Sequence, residues 1–341
     1  MRATESAVHL GGAAPGTTVA DGRPGPSAEP GPPGVDGTAV LDLGPPVTPT
    51  GLARLARLPG ALAVLLRPGQ WPKNVLVVPV ALLTAGAWTP ATLARLGWAV
   101  LAFTLASALV YVVNDVVDRD RDRRHPVKRH RPVASGLVPV PVAWAVAVGL
   151  AGLLAATVAR APGLFWPLWL YLGLNVAYSL RLKQVPLVDV FTLAAGFVLR
   201  ALQGYAVTGL AVSGWLLTCV FAICLVLALG KRRHEIMVAG AEHRPALVGY
   251  TVHLIDNLVL LNAAVAVTTY LLFLDSDAGA TRYGPLLSAP FAMFGISRYL
   301  QLLLVHRQGG DPTRILVRDR AMLVNALMWA AFVAGPLLAS R

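Results

Sequence analysis

From residue 71 to the carboxyl terminus, apolar stretches of about 20 residues follow one another with only short polar breaks. A helix rises about 1.5 Å per residue, so each such stretch can cross a hydrocarbon core ~30 Å thick. Lipid leaves no water to satisfy backbone N–H and C=O groups, and continuous rather than alternating apolar runs meet that demand as helices. The breaks predict spans at about 73–88, 95–117, 138–160, 164–180, 187–208, 213–230, 247–274, 284–305 and 319–339. The expected fold class is therefore an all-α membrane protein of about nine transmembrane helices. Composition agrees: 56% of the chain is hydrophobic and 13% charged, where a soluble domain carries about 25% charged residues.

Three regions are expected. Residues 1–50 are rich in Gly, Pro, Ala and Thr, bury too little to fold and read as a disordered tail. Residues 51–70 read as an amphipathic interfacial helix, with Leu52, Leu55, Leu58, Leu62 and Leu65 set against Arg54 and Arg57. Residues 71–341 form the transmembrane domain. Cys219 and Cys224 lie within one apolar stretch and read as core residues.

A net charge of +12 raises the question of nucleic acid. The basic residues, however, sit in a few short loops, and Trp and Tyr lie in or beside the spans as interface anchors do, so no nucleic-acid partner is expected. On the predicted topology, 21 Lys and Arg side chains of the spans and loops fall on one side against four on the other, Arg95, Arg160, Arg282 and Arg341. Basic loops stay cytoplasmic, which puts the amino terminus and the polar loops on the cytoplasmic side of the cell membrane.

The segment most suggestive of chemistry ends the second span: Asn114-Asp115-Val-Val-Asp118-Arg-Asp120-Arg-Asp122, followed by His125-Pro126-Val-Lys128-Arg-His-Arg131-Pro132. On a continuing helix Asn114, Asp118 and Asp122 share a face with Asp115 beside them, and Asp120 points elsewhere. Like charges at that spacing repel unless a cation lies between them. Hard oxygen donors without His or Cys suit Mg2+, which takes one or two carboxylates plus substrate phosphates. The competing reading is a solvated helix end neutralised by Arg119, Arg121, Arg123 and Arg124, but ionisable groups at the end of a membrane span are usually functional.

The run from Asn114 to Asp122 resembles the first aspartate-rich motif of the UbiA superfamily of membrane prenyltransferases, and His125 to Pro132 resembles its usual extension. That resemblance implies a nine-helix bundle with a lipid-facing cavity and a Mg2+-bound diphosphate. It covers roughly residues 60–340. Most members carry a second aspartate-rich motif after the sixth span; here that place reads Gly230-Lys231-Arg232-Arg233-His234-Glu235. The departure is similar to the decaprenyl-phosphate phosphoribosyltransferase branch of actinobacterial cell-wall synthesis. So are Arg67-Pro68-x-Gln70-Trp71-x-Lys73-Asn74, Tyr178-Ser179-x-x-Leu182-Lys183, Gly196-Phe197-x-x-Arg200-Ala201, Arg298-Tyr299 and Asp319-Arg320.

This branch implies Mg2+-dependent transfer of 5-phosphoribosyl from phosphoribosyl pyrophosphate to a polyprenyl phosphate in the lipid bilayer. Asn114, Asp115, Asp118 and Asp122 are then expected to hold Mg2+ and pyrophosphate, with Asp118 and Asp115 foremost for catalysis. Lys128 and Arg131 would hold donor phosphate, Lys73 beside Asn74 a lipid or donor phosphate, and Lys231 and Arg232 the ribose 5-phosphate. Tyr178 and Lys183 are open between phosphate contact and anchoring. Arg200, mid-span, needs a polar cavity or an acidic partner. Asp189 reads as a helix-start aspartate favoured by the dipole, with a metal-site role as the alternative; His125 reads as a turn residue. Two other functions compete: a prenyltransferase or terpene cyclase using an isoprenyl diphosphate, and a non-enzymatic lipid transporter or scaffold.

Overall fold

In a computed structural model, residues 52–78, 89–125, 127–239, 245–276, 284–310, 315 and 318–339 are described. The expected tail at 1–50 lies outside them. Among the described residues ten α-helices run in order: α1 Leu52–Leu65, α2 Pro90–Val117, α3 Arg119–Arg123, α4 Val140–Val158, α5 Trp166–Leu180, α6 Val188–Thr208, α7 Gly214–Ala239, α8 Val252–Ser276, α9 Gly284–Leu304 and α10 Arg320–Ala339. The described residues contain no β-strand.

Six of these helices, α2, α4, α6, α7, α8 and α9, are long and apolar enough to cross a membrane. α5 has 15 residues, and α10 has 20 residues, of which Arg320–Phe332 is an apolar stretch. The first expected span, 73–88, does not begin as an α-helix. Pro68–Val77 is a 3₁₀ helix with Pro72 inside it, where a missing N–H and ring clashes disfavour α-helix; residues 79–88 lie outside the described residues. The expected count of nine spans is thus not established by the described residues.

α2 is the axis of the site. Thr89 caps it, its Oγ1 accepting from the N–H of Thr92 at 3.2 Å, and Pro90 opens it. With 28 residues it runs about 42 Å, longer than the hydrocarbon core, so one end projects into the interface. That end carries Asn114 to Asp118.

Helices α2, α4 and α5 pack through Phe103, Leu105, Leu154, Leu168 and Tyr171. Helices α6 to α9 pack through Val190, Leu225, Leu229, Ile255 and Leu303. The α2–α6 contact joins the two groups. α1 covers Leu52–Leu65 of the expected 51–70, and Ala61 and Leu65 are buried with Val112, Val138 and Ala143, Leu58 and Leu62 packing beside them. This face of α1 therefore lies on protein.

Outside, Trp98, Leu101, Val148, Leu170, Leu260 and Phe294 are exposed, as on a surface solvated by lipid tails. A groove of about 800 Å3 opens among Trp169, Leu174, Ala195, Val198, Leu217 and Phe221, on α5, α6 and α7. Its walls are almost wholly apolar, and Ala177 at one end is adjacent in sequence to Tyr178.

Candidate active site

The helix that carries the aspartates does not continue straight through them. α2 stops at Asp118 (φ −86°, ψ 5°) and α3 begins at Arg119. Two i to i−4 bonds still cross the interruption, Asp118 N–H to the Asn114 carbonyl at 2.9 Å and Asp122 N–H to the Asp118 carbonyl at 2.8 Å, so residues two turns apart keep one face. Asp115 and Asp122, seven residues apart, share one guanidinium: Arg131 Nη1 donates to Asp115 Oδ1 at 3.3 Å and to Asp122 Oδ2 at 2.7 Å. Asp118 turns to another partner, accepting from Lys183 Nζ at 3.4 Å. Asn114 Oδ1 accepts from Ser179 Oγ at 2.8 Å, which ties α2 to the end of α5.

A residue absent from the expected site joins this group. Arg67 Nη2 donates to Asp115 Oδ1 at 2.5 Å, and its guanidinium lies 4.8 Å from the ring centroid of Tyr111. Asp115 and Asp122 are almost wholly buried, while Arg67, Arg131, Lys183 and Asp118 keep partial exposure. Buried carboxylates persist only when paired, and each has its cation here.

Deeper in the bundle lies a second polar layer. Arg200 is nearly buried, with Nε on Asn74 Oδ1 (3.0 Å), Nη2 on Tyr171 Oη (3.0 Å) and Nη1 on the Gly196 carbonyl (2.9 Å). Its guanidinium also faces the rings of Tyr171 at 4.6 Å and Phe197 at 5.0 Å. The acidic partner expected as one option is replaced, among the described residues, by neutral acceptors and aromatic faces. Asn74 is completed by Thr104, to which its Nδ2 donates at 3.2 Å, and by Ser107 Oγ at 3.4 Å. Thr104, Ser107, Tyr111, Asp115, Asp118 and Asp122 recur every three or four residues. Up to Asp115 that spacing draws a polar stripe along one face of α2.

The basic end of α7 is arranged differently from the expectation. Arg232 is buried, with Nε on Asp189 Oδ2 at 2.8 Å and Nη1 on Glu235 Oε2 at 2.6 Å. Arg233 donates from Nε to Asp256 Oδ1 at 2.7 Å and from Nη1 to the Leu303 carbonyl at 3.2 Å. Arg232, expected on the ribose 5-phosphate, is thus committed to carboxylates of the protein; Lys231 is the exposed cation of the pair. Asp189 is fully buried in the first turn of α6 and also accepts from Tyr250 Oη at 2.7 Å. Tyr250 in turn accepts from the N–H of Leu187 at 2.7 Å, whose φ of 64° is left-handed. Burial first, then the bond to the Asp189 carboxylate, pushes the Tyr250 hydroxyl well above the ordinary tyrosine range, so it stays a donor. Of the other expected residues, Lys73 is half-buried beside Asn74, Lys128 is exposed on the 128–130 turn, and Tyr178 lies within electrostatic reach of Arg232.

Asn114, Asp115, Asp118 and Asp122 offer only hard oxygen donors, the chemistry that suits Mg2+. Among the described residues no three His, Cys, Asp or Glu side chains gather closely enough to hold a metal ion alone. That is compatible with Mg2+, which takes one or two carboxylates and completes its shell with water and substrate phosphate. Asp118, partly exposed and singly paired, and its neighbour Asn114 are the donors best placed to meet it.

The sequence profile of the UbiA prenyltransferase family matches residues 74–323. The decaprenyl-phosphate phosphoribosyltransferase of Mycobacterium tuberculosis is 34% identical over 293 residues, covering 82% of this chain and 95% of its own. That of Corynebacterium glutamicum is 33% identical over 275 residues, covering 77% and 82%. Among solved structures, a UbiA homolog from Archaeoglobus fulgidus bound to GPP and Mg2+ superposes with a TM-score of 0.60 at 22% identity, covering 81% of this chain and 99% of the other. Fold, acidic α2 end and sequence relationship agree: this chain is a multi-pass membrane transferase that belongs to the UbiA prenyltransferase family.

Proposed function

We propose that the protein transfers 5-phosphoribosyl from phosphoribosyl pyrophosphate to a polyprenyl phosphate, with Mg2+ as cofactor. The observation that carries this reading is the fate of the acids near α7. A second metal would need free carboxylates there, yet Asp189 is saturated by Arg232 and Tyr250, and Glu235 is paired with Arg232. Among the described residues one acidic centre, on α2, remains. That supports a donor with one metal-bound diphosphate and a further phosphate met by lysine or arginine, rather than an isoprenyl diphosphate held between two acidic motifs. The names of the mycobacterial and corynebacterial relatives support the same choice.

In this reading an oxygen of the lipid phosphate bonds to the ribose anomeric carbon as that carbon's bond to pyrophosphate breaks. The ribose passes through an oxocarbenium-like state. The acceptor is already an anion at neutral pH, so the site needs no strong base. Asn114 and Asp118 would meet Mg2+, with Asp115 and Asp122 supporting them; when bound, the ion neutralises charge on the departing pyrophosphate. Arg131, Lys128 and Lys183 would hold donor phosphate at the end of α2, and Lys231 the 5-phosphate. Arg200, about 18 Å along α6 from its start, and its partner Asn74 would line the inner wall. The 21-to-4 distribution of basic residues supports a cytoplasmic site.

The test is incubation of membranes containing the protein with radiolabelled phosphoribosyl pyrophosphate, Mg2+ and defined polyprenyl phosphates, followed by lipid extraction. Label in a charged lipid, with release of pyrophosphate, is the expected result. Release of pyrophosphate only from an isoprenyl diphosphate would replace this reading with ordinary prenyl transfer.

A further inference from the structure

We propose that Arg67 is a ligand of the donor diphosphate, forming with Arg131 a two-guanidinium clamp that Asp115 and Asp122 hold from beneath. The proposal rests on the reading above only for the presence of a diphosphate donor, not for the group it carries. Four side chains alternate in charge: Arg67, Asp115, Arg131, Asp122. Their burial is asymmetric. The two carboxylate side chains are 1% and 3% exposed, whereas those of Arg67 and Arg131 are 28% and 30% exposed. The acids therefore lie inside and the guanidinium groups at the opening.

Among the described residues the acids engage Nη2 of Arg67 and Nη1 of Arg131. A guanidinium carries five N–H donors in a fixed fork, so each has donors left for planar oxygen acceptors such as phosphate. Tyr111, 4.8 Å away, supports the plane of the Arg67 fork.

The backbone points the same way. Arg67 has φ 51° and ψ 59°, left-handed, and stands directly before Pro68. Both features are unfavourable for a non-glycine residue. Such conformations persist where the surroundings over-determine them, commonly at ligand clamps. This geometry ends α1 and sets Arg67 against α2.

The bland alternative is that Arg67 merely neutralises Asp115. Calorimetric titration of the full-length detergent-solubilised protein with inorganic pyrophosphate and Mg2+ separates the two, paired with a thermal melt. The decisive comparison is Arg67→Met/Asp115→Asn against Asp115→Asn alone, because neither leaves a buried carboxylate unpaired. The clamp predicts that the double variant melts no lower than the single variant yet binds pyrophosphate at least about tenfold more weakly. Arg67→Lys guards against an unfolded double variant. It keeps a cation opposite Asp115, so it should melt like wild type while binding pyrophosphate severalfold more weakly. Affinity unchanged from the reference protein in either comparison overturns the clamp. Pyrophosphate leaves either kind of donor, so the outcome is independent of ribosyl transfer. A verified clamp in a protein that releases nothing from phosphoribosyl pyrophosphate would refute only the functional reading.

Discussion

The ends of α2 and α7 both concentrate opposite charges, and they do so inside out relative to each other. At α2 the carboxylates of Asp115 and Asp122 are buried and their basic partners reach the opening. At α7 the guanidinium groups of Arg232 and Arg233 are buried, and Asp189 beneath them is sealed completely. The first arrangement offers donors to an incoming anion. The second keeps its guanidinium groups inward, where they join α6, α7 and α8, and leaves only the neighbouring Lys231 as an exposed cation among residues 231–233. The contrast teaches that the sign of a charged run in a sequence does not say which partner meets the ligand. Burial decides that, because a buried ion is held by its own counter-ion.

The largest expected effect lies at the open end. Asp118→Asn should lower turnover about 10²–10³-fold, the scale for removing one group that stabilises transition-state charge. The melt should change little, since the Asp118 side chain is 31% exposed and its contact with Lys183 is 3.4 Å long. Turnover within a few-fold of wild type would make the α2 end a structural feature and erase the contrast.

The closed end should show the opposite signature. Asp189→Ala leaves Arg232 with one acidic partner fewer in a dry site, and is expected to cost about 3–5 kcal/mol of stability. Asp189→Asn with Arg232→Met removes both charges and should recover much of that loss. Melts of purified protein in detergent check both. A variant Arg232→Met that melts normally but binds donor more weakly would assign Arg232 to the ligand after all.

Much of the bundle was legible because transmembrane stretches are set by a solvent constraint that reads directly as hydropathy. Six helices lie close to the expected spans. The expected span at 73–88 differs at its start, where Pro68 and Pro72 favour a 3₁₀ helix over 68–77; residues 79–88 lie outside the described residues. The acidic motif was legible as residue type and position, but not as geometry. The four-residue spacing groups Asn114, Asp118 and Asp122, whereas the structure pairs Asp115 with Asp122, two helical turns apart, on Arg131 and turns Asp118 to Lys183. In the sequence Arg67 reads as part of a family-like motif and as one of the basic residues that set membrane orientation. Its contact with Asp115 spans 48 positions and depends on a backbone turn that residue types do not announce. The Thr104-Ser107-Tyr111-Asp115 spacing was a signal within reach. It marks a polar face on an otherwise lipid-compatible helix, and Tyr111 lies on it beneath Arg67.

A third charged pair sharpens the comparison because it should have neither signature. Arg298 on α9 grips Asp319 bidentately, Nη2 to Oδ2 at 2.7 Å and Nε to Oδ1 at 3.2 Å, and Asp319 Oδ1 also accepts from the N–H of Met322 at the start of α10. The bonds from Arg298, and after them that of Met322, hold the Asp319 carboxyl below its ordinary value of 3.8. A carboxyl whose pKa is lower folded than unfolded stabilises the fold above the unfolded value and loses that contribution as pH falls through the folded one. The melting difference between wild type and Arg298→Met should therefore be small and flat from about pH 7 to about pH 5, and shrink only below the ordinary carboxylate range. Turnover at neutral pH should be untouched. A difference that already shrinks between pH 7 and pH 5 would implicate a histidine instead. A loss of turnover would mean that the α9–α10 junction belongs with the open end rather than apart from both.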